Sequence, residues 1–289
     1  MKYLYAITLV TLSSFIAGFV ERYPSSIQSI SEIEFPSPPP YQKPDSLSKR
    51  KIKVMVIDTG VAPHYMLRQY LNAEWSSDEF NYPNDDGSNI STAKDHGTHV
   101  AGIILLGDQQ KKIEPVCGEV ELYSCRFYNP LALGSDNIKS TVTCLKKALR
   151  LDVDFLNYSA GGKDSSEEEK EIIKTISSSG TKIIVAAGNE SSSYEITPYY
   201  PAGYFQDPTI ENLIPVGNLT DKGERLASSS FTGGIIFDYG TKIKSTLKMR
   251  SLGFMTGTSQ AAAMYTHRLI MRKCGQIKIE EKALKELQK

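Results

Sequence analysis

The sequence predicts one α/β domain with a mostly parallel central sheet that is covered by helices on both faces. Short, nearly continuous apolar runs recur along the chain, and amphipathic stretches of helical period lie between them. Strands buried on both faces give such runs, and their alternation with helices is typical of parallel sheets. Since no repeat or domain boundary follows residue 50, this one domain should occupy residues 51–289.

The first predicted strand covers residues 52–57, where the chain changes abruptly from polar to apolar. Similar runs predict further strands at residues 119–127, 153–158, 182–187 and 212–216. One helix is predicted over residues 137–151, with apolar side chains at helical spacing. Another is predicted over residues 165–178, where three glutamates fall in the first turn, as the helix dipole favours.

The first twenty residues are predicted to form a secretory signal peptide. Lys2 precedes an apolar stretch from residue 3 to residue 20, and small residues lie near Ala17. The alternative is an uncleaved membrane anchor, for which about 18 residues is the short limit. Residues 21–50 are polar and rich in proline, which indicates a linker or a short pro-segment. We therefore expect a secreted, extracytoplasmic protein that contacts a membrane only if the segment stays uncleaved.

The charge balance argues against partners that a large net charge on the protein would attract. Lys+Arg and Asp+Glu number 33 each, so no overall charge favours nucleic acid or an anionic membrane. We expect no nucleic-acid partner.

Four cysteines follow the predicted signal peptide, at positions 117, 125, 144 and 274. An even number in an exported protein allows two disulfides, with three alternative pairings. Their spacing does not match that of zinc ligands. Cys125 falls in a predicted strand and Cys144 in a predicted helix, so either could equally be an inert buried thiol.

Two motifs carry candidate residues for acid–base chemistry. The first predicted strand ends in Asp58-Thr59-Gly60, and functional side chains gather at the carboxyl ends of strands in open α/β sheets. The second motif is DHGTHVAG, which contains His96 and His99. Taken alone, the first motif also occurs in aspartic peptidases and in ordinary turns. The two histidines lack the intervening glutamate of H-E-x-x-H, so zinc binding is disfavoured.

A third motif, GTSQAAA, places Ser259 among small residues at the start of a predicted helix. Backbone N–H groups at a helix N-terminus point outward and favour a developing anion. Taken alone, however, this serine is equally typical of a helix cap.

Taken together, the motifs resemble those of the subtilisin-like serine peptidases, the subtilase family. The order Asp…His…Ser is that of subtilisin. The matching stretches are VMVIDTGV, DHGTHVAG, LNYSAGG, VAAGNE and GTSQAAA, with further likeness in YPA and IPVG. The resemblance as a whole spans roughly residues 50–275. The resemblance implies a subtilisin-like three-layer α/β fold and a monomeric serine endopeptidase that cleaves polypeptides through an acyl-enzyme.

The resemblance also implies a role for each matched residue. Ser259 would be the nucleophile, His96 the general base and acid, and Asp58 the group that orients the imidazole. Asn189 would donate its amide to the oxyanion. His99 would be structural. The substrate-binding edge and the facing wall of the specificity pocket would be lined by Ser159, Ala160, Gly161, Ala187 and Gly188.

The chain departs from the family pattern at several positions. Proline is missing after the nucleophile in Gln260–Ala263 and again at Asp238-Tyr239-Gly240, and Ala160 replaces the common leucine. Residues 21–50 are too few and too polar to form a pro-domain with its own core. No cofactor is required by the implied chemistry and no metal ligands are assigned, although the acidic loop at residues 78–89 carries the oxygen ligands that calcium prefers.

Two other functions compete with an active peptidase. A catalytically inactive subtilase-fold binding protein is disfavoured because all four reacting residues are present. An esterase or lipase would require a G-x-S-x-G elbow, which the sequence around Ser259 lacks.

Overall fold

The computed structural model describes residues 50–276, except for residues 63, 77–94, 129–133 and 249. The predicted signal peptide, almost all of the proline-rich segment and the acidic loop at residues 78–89 lie outside the described residues.

Seven parallel strands of the described chain form one sheet, in the order β2-β3-β1-β4-β5-β6-β7. The chain places β3 on one side of β1 and β4 on the other, so the strand order reverses at β1 and β4. Ligands bind at the carboxyl edge of such a reversal. The strands are β1 Ile52–Asp58, β2 Leu71–Ser76, β3 Val120–Arg126, β4 Phe155–Tyr158, β5 Lys182–Ala186, β6 Leu213–Leu219 and β7 Ile236–Tyr239.

Helices cover both faces of this sheet. Helices α1 (His96–Leu106) and α4 (Thr258–Lys273) pack on one face, and α2 (Gly134–Leu151) and α3 (Glu167–Ser178) pack on the other. An antiparallel hairpin of β8 (Ile243–Thr246) and β9 (Leu252–Met255) lies beside α1. A short 3-10 helix spans Ala202–Gln206. The predicted fold class, a mostly parallel sheet between two layers of helices, is confirmed.

The alternation of side chains along β1 explains how one strand contributes to the hydrophobic cores on both faces of the sheet. Val54 and Val56 join the core with α1 and α4, whereas Met55 and Ile57 join the core with α2 and α3. All four side chains are fully buried. Successive side chains of a strand point to opposite faces, so only an apolar run can supply both cores. The same logic accounts for the runs that predicted β3 and β5.

The predicted elements agree with the observed ones apart from their ends. The helix predicted at residues 137–151 begins one turn earlier, at Gly134. The strand predicted at residues 153–158 begins at Phe155, and the one predicted at residues 212–216 continues to Leu219. In α3 the Ser166 hydroxyl accepts a hydrogen bond from the Glu169 N–H and caps the helix.

Two disulfides resolve the pairing that the sequence left open. Cys125 on β3 is bonded to Cys144 on α2, and both are fully buried. Cys117, in the loop before β3, is bonded to Cys274 at the end of α4, and both are half-buried. One bond therefore fastens a helix to the sheet, and the other fastens the end of α4 to the loop that enters β3.

Among the helices of the described residues, none combines the length and the apolar character needed to cross a membrane.

Candidate active site

The carboxyl end of β1 and the start of α1 bring Asp58 and His96 together. The His96 Nδ1 lies 2.8 Å from the Asp58 Oδ1, and the side chains are 4% and 2% exposed for His96 and Asp58 respectively. A carboxylate only accepts hydrogen bonds, so the shared proton belongs to Nδ1. The Thr59 N–H also donates to this oxygen, at 2.7 Å. The imidazole is thus held in the tautomer whose Nε2 can take up a proton.

Gly97 permits this close approach of helix to strand. A Cβ at Gly97 would lie only 2.2 Å from the Gly60 carbonyl oxygen and 3.1 Å from the Asp58 Oδ1. The first of these distances is incompatible with any side chain. The Gly97 N–H in turn donates to the Thr59 hydroxyl at 2.9 Å. The glycine that follows His96 is therefore required by the packing of α1 on β1.

Ser259 lies in the first turn of α4 and is 7% exposed. Its hydroxyl donates to the Ser159 carbonyl at 3.1 Å, directly after the end of β4. N–H groups of a first helical turn have no acceptor within the helix, so the Ser259 N–H is available to an oxyanion. The nucleophile candidate therefore lies next to a backbone donor.

The Asn189 side chain is tied to the same helix turn. Its Oδ1 accepts a hydrogen bond from the Thr258 N–H at 3.0 Å, while the Thr258 hydroxyl accepts one from the Gly188 N–H at 3.2 Å. Because Oδ1 is engaged in this way, the amide flip is fixed and Nδ2 is its donor end. Asn189 is half-buried, and a Cβ on Gly257 would lie 3.6 Å from Nδ2. The amide donor thus lies at the N-terminus of α4.

The predicted substrate-binding residues lie on two neighbouring strand ends. Ser159, Ala160 and Gly161 follow β4, and Ala187 and Gly188 follow β5, with all five buried. Gly162 forms an antiparallel bridge with Tyr200. The structure thus brings every residue of the predicted site to one edge of the sheet, where the strand order reverses.

Two residues that support this edge were not found from the sequence. The buried Asn157 donates from Nδ2 to the Ser159 hydroxyl at 2.8 Å, and its Oδ1 lies 2.9 Å from the Thr266 hydroxyl on α4. A polar amide inside the apolar run of β4 was the available signal for Asn157. The bonds connect β4, α4 and the backbone that carries Ser159.

A third such residue, Tyr199, lies against the predicted specificity pocket. It is 6% exposed and belongs to the core cluster that contains Ala160 and Ala187. It occurs in an irregular segment, so the sequence offered no periodic signal that would have placed it.

His99 has structural contacts, as the resemblance implies. Its Nε2 lies 3.1 Å from the carbonyls of both Ile243 and Gly253 on the β8–β9 hairpin. Burial lowers the pKa of His99 to about 3, although these carbonyl contacts favour the charged form. A nitrogen that donates to two carbonyls carries a proton and cannot ligate a metal. His99 therefore links α1 to the hairpin as a neutral imidazole.

Among the described residues, no group of three or more His, Cys, Asp or Glu side chains is placed to hold a metal ion. The acidic loop at residues 78–89, which carries oxygen ligands of the kind that calcium prefers, lies outside them.

A cavity of about 410 Å³ lies at the other edge of the sheet, beside the amino ends of β4 and β5. Its lining includes charged side chains that pair with each other, such as Arg50 with Asp152 at 3.0 Å and Lys273 with Asp154 at 2.5 Å. It contains none of the residues of the candidate active site.

Comparison with known proteins gives consistent results. The family model described as the subtilase family matches residues 49–271. The major intracellular serine protease of Bacillus subtilis (strain 168) is 31% identical over 221 residues, which are 74% of this chain and 65% of that protein. Subtilisin DY of Bacillus licheniformis is 31% identical over 214 residues, 73% of this chain and 72% of that protein. The chain thus spans just under two thirds of the first relative's length.

A solved structure also matches. The protease domain of PatA, in a mutant form, superposes with a TM-score of 0.62 at 16% identity and covers 78% of this chain and 80% of that chain. At this identity the likeness concerns the fold alone.

Proposed function

The chain belongs to the subtilase family, and we propose that it is a secreted serine endopeptidase that hydrolyses peptide bonds through Asp58, His96 and Ser259. The family and the relatives of similar sequence support a serine-type peptidase. The observation that carries the triad is the buried 2.8 Å contact between His96 Nδ1 and Asp58 Oδ1, on the sheet edge that also holds Ser259.

In the proposed acylation step, the Ser259 Oγ attacks the scissile carbonyl carbon and its proton passes to the His96 Nε2. The resulting imidazolium is stabilised by Asp58, whose carboxylate already accepts from Nδ1. The carbonyl oxygen becomes an oxyanion that accepts hydrogen bonds from the Asn189 Nδ2 and the Ser259 N–H. The fixed flip of the Asn189 amide supports this role, because its donor end needs no reorientation.

The tetrahedral intermediate collapses when the C–N bond breaks and His96 returns the proton to the leaving amine. An acyl-enzyme on Ser259 remains. A water molecule then attacks the acyl carbon and gives a proton to His96. The bond between the acyl carbon and the Ser259 Oγ breaks, His96 returns the proton to Oγ, and the acid product leaves. Apart from this water, each proposed step uses groups of this chain, so the proposed mechanism requires no cofactor.

We further propose that the substrates are polypeptides that pair with the edge formed by Ser159, Ala160 and Gly161. This edge is held by Asn157 and Thr266 and lies beside Ser259. A backbone that is already fixed can bind an extended chain without an ordering cost.

Export is proposed from two observations. Residues 1–20 have the pattern of a signal peptide. Two disulfides are typical of proteins in oxidising compartments. N-terminal sequencing of the protein from the culture medium tests this proposal and defines whether residues 21–50 are removed. Retention of the protein in the membrane fraction with an intact N-terminus would instead support the anchor.

Labelling with a fluorophosphonate probe tests the peptidase proposal. We expect the wild type to be labelled and Ser259→Ala, folded to the same extent by circular dichroism, not to be labelled. Digestion of casein by the same pair then separates a peptidase from an esterase. A folded wild type without Ser259-dependent labelling would support the inactive binding protein instead.

A further inference from the structure

The ring of Tyr199 fills the space between the two walls of the predicted specificity pocket. A Cβ added to Gly161, on the first wall, would lie 2.6 Å from the Tyr199 Cε1. A Cβ added to Gly188, on the second wall, would lie 2.9 Å from the Tyr199 Cγ. Both distances are shorter than real Cβ contacts, so the ring touches both backbones. We call the space between Gly161 and Gly188 the slot.

The slot lies immediately beside the reacting groups. Gly161 is two residues from Ser159, whose carbonyl accepts the Ser259 hydroxyl bond at 3.1 Å. Gly188 directly precedes Asn189, the predicted oxyanion donor. If the substrate runs along the first wall, the side chain of the residue that contributes the scissile carbonyl points into this slot.

Backbone contacts on both sides hold Tyr199 in place. The Tyr200 N–H donates to the Gly162 carbonyl at 2.7 Å, and the Gly162 N–H donates to the Tyr200 carbonyl at 2.8 Å. The Tyr199 carbonyl accepts from the Gly203 N–H at 2.6 Å. The residue is 6% exposed, and burial together with the nearby Glu190 charge raises the pKa of its hydroxyl. Removing the ring from the slot would expose a packed aromatic surface.

The carboxylate of Glu190 closes the slot further, on the side of Gly188. A Cβ on Gly188 would lie 2.4 Å from the Glu190 Oε2, which accepts a hydrogen bond from the Ser230 hydroxyl at 3.0 Å. The Glu190 N–H also lies 3.2 Å from the Ser230 Oγ. Ser230 therefore holds this carboxylate in its place beside Gly188.

We propose that Tyr199 is the specificity-determining residue and that it restricts the residue contributing the scissile carbonyl to glycine, alanine or serine. The inference rests on the proposed peptidase function and adds a substrate class to it. A larger side chain would have to displace the ring or leave its own apolar surface in water, whereas a methyl or hydroxymethyl group has little surface to bury in the filled slot. A difference of one methylene alone is worth about 10- to 200-fold in specificity, so exclusion of a whole ring should reach at least the upper part of that range.

Internally quenched peptides that differ only at this residue, with alanine, serine, phenylalanine or lysine, test the proposal. For the wild type, kcat/KM should be at least about 100-fold higher for alanine and serine than for phenylalanine and lysine. Tyr199→Ala should lower the ratio of alanine to phenylalanine by about 100-fold. The matched control Tyr199→Phe keeps the ring and should keep the wild-type ratio. Fluorophosphonate labelling gives the concentration of active sites for each protein.

A wild type that cleaves after phenylalanine or lysine as fast as after alanine would overturn the proposal. So would a labelled Tyr199→Ala protein with an unchanged ratio. If Tyr199→Ala does not fold, the wild-type series decides the question. A wild type that takes no label would overturn the peptidase function and this inference together, whereas a labelled wild type with broad preference overturns the inference alone.

Discussion

Ser259 and Ser159 are linked by reciprocal hydrogen bonds across 100 residues of sequence. The Ser259 hydroxyl donates to the Ser159 carbonyl at 3.1 Å, and the Ser159 hydroxyl donates to the Ser259 carbonyl at 3.2 Å. The candidate nucleophile and the candidate substrate edge therefore fix each other's backbone. Asn157 extends the link by donating to the Ser159 hydroxyl at 2.8 Å.

Replacing Ser159 with alanine should lower the free energy of unfolding by about 1–3 kcal/mol. The substitution leaves the buried Asn157 amide without its acceptor and the Ser259 carbonyl without its donor. Urea unfolding in a Ser259→Ala background, which prevents self-digestion, measures the change. The matched control is Ser178→Ala on α3, an exposed serine that bonds only to the Lys174 carbonyl of its own helix. Equal stability of the two variants would contradict the link.

Replacing Asn189 with alanine should lower kcat by about 10²–10³ while KM changes little, a range taken from the comparable amide of subtilisin. The amide would stabilise an oxyanion that exists only after attack, so its loss affects the transition state rather than binding. Steady-state kinetics on a single peptide checks the prediction. Ser191→Ala, two residues away and exposed, is the control and should behave as the wild type. A rise in KM at unchanged kcat would assign Asn189 to substrate binding instead.

Replacing Glu169 with glutamine should abolish the pH dependence that this carboxyl group gives to the free energy of unfolding. Burial raises the pKa of Glu169 from its ordinary 4.5 to about 7, although the hydroxyls of Tyr158 and Tyr204 donate to it. Between pH 4.5 and 7 the folded state therefore binds more protons than the unfolded chain. The free energy of unfolding falls as pH rises through this window and is level above it.

In Glu169→Gln this slope should be absent, and at pH 8 the variant should be more stable than the wild type by up to about 3 kcal/mol. In the wild type, Tyr158 donates to Oε1 and Tyr204 donates to Oε2. Glutamine keeps one of these acceptor oxygens, and its NH2 group can donate to the hydroxyl oxygen of the other tyrosine. Urea unfolding from pH 4 to pH 8, again in the Ser259→Ala background, measures the difference. Glu167→Gln, at an exposed position of the same helix, should keep the wild-type slope. Parallel curves for wild type and Glu169→Gln would refute the prediction.

The two disulfides should differ in their access to reductant. Cys117 and Cys274 are half-buried, whereas Cys125 and Cys144 are fully buried. Exchange requires a thiolate to reach a sulfur atom, so the half-buried pair should react before the fully buried pair. Under native conditions with a mild thiol reductant, alkylation followed by mass spectrometry should detect labelled Cys117 and Cys274 only. Simultaneous labelling of all four cysteines would contradict this order.

The parts of the fold that the sequence predicted are those with their own local signal. Strands β1, β3 and β5 lie in the middle of the sheet and must be apolar throughout, which makes them visible as runs. Strand β7 was missed because it is an edge strand whose Ile236 and Phe237 are only half-buried. The hairpin of β8 and β9 was missed for a similar reason, since each strand has four residues and β9 is largely exposed.

The segments that depart from the family pattern are connected to the rest of the fold by other contacts. Asp238 on β7 accepts a 2.9 Å bond from the Arg268 Nε on α4, and the Gly257 N–H donates to the Gly240 carbonyl at 3.1 Å. The small residues Ala261, Ala262 and Ala263, which follow Ser259 closely, are fully buried and pack α4 into the core.

The candidate site was predictable where a short motif carries the chemistry. Asp58, His96 and Ser259 each lie in a motif whose glycine and small residues are required by packing, as at Gly97. Tyr199 was not predictable because its place depends on the bridge between Gly162 and Tyr200, which joins residues distant in sequence. Tyr199, which fills the predicted pocket, was therefore harder to predict from the sequence than the residues that line it.

The central claim is that Asp58, His96 and Ser259 act as one catalytic unit, and kcat for single and combined alanine variants tests it most directly. We expect Ser259→Ala and His96→Ala each to lose at least about 10⁴-fold in kcat, and the double variant to lose no more than the worse single variant. If Ser259 and His96 act in the same step, removing the second side chain after the first causes no further loss of kcat. Losses that multiply in the double variant, or a folded Ser259→Ala or His96→Ala protein that keeps a tenth or more of the wild-type kcat, would contradict the account.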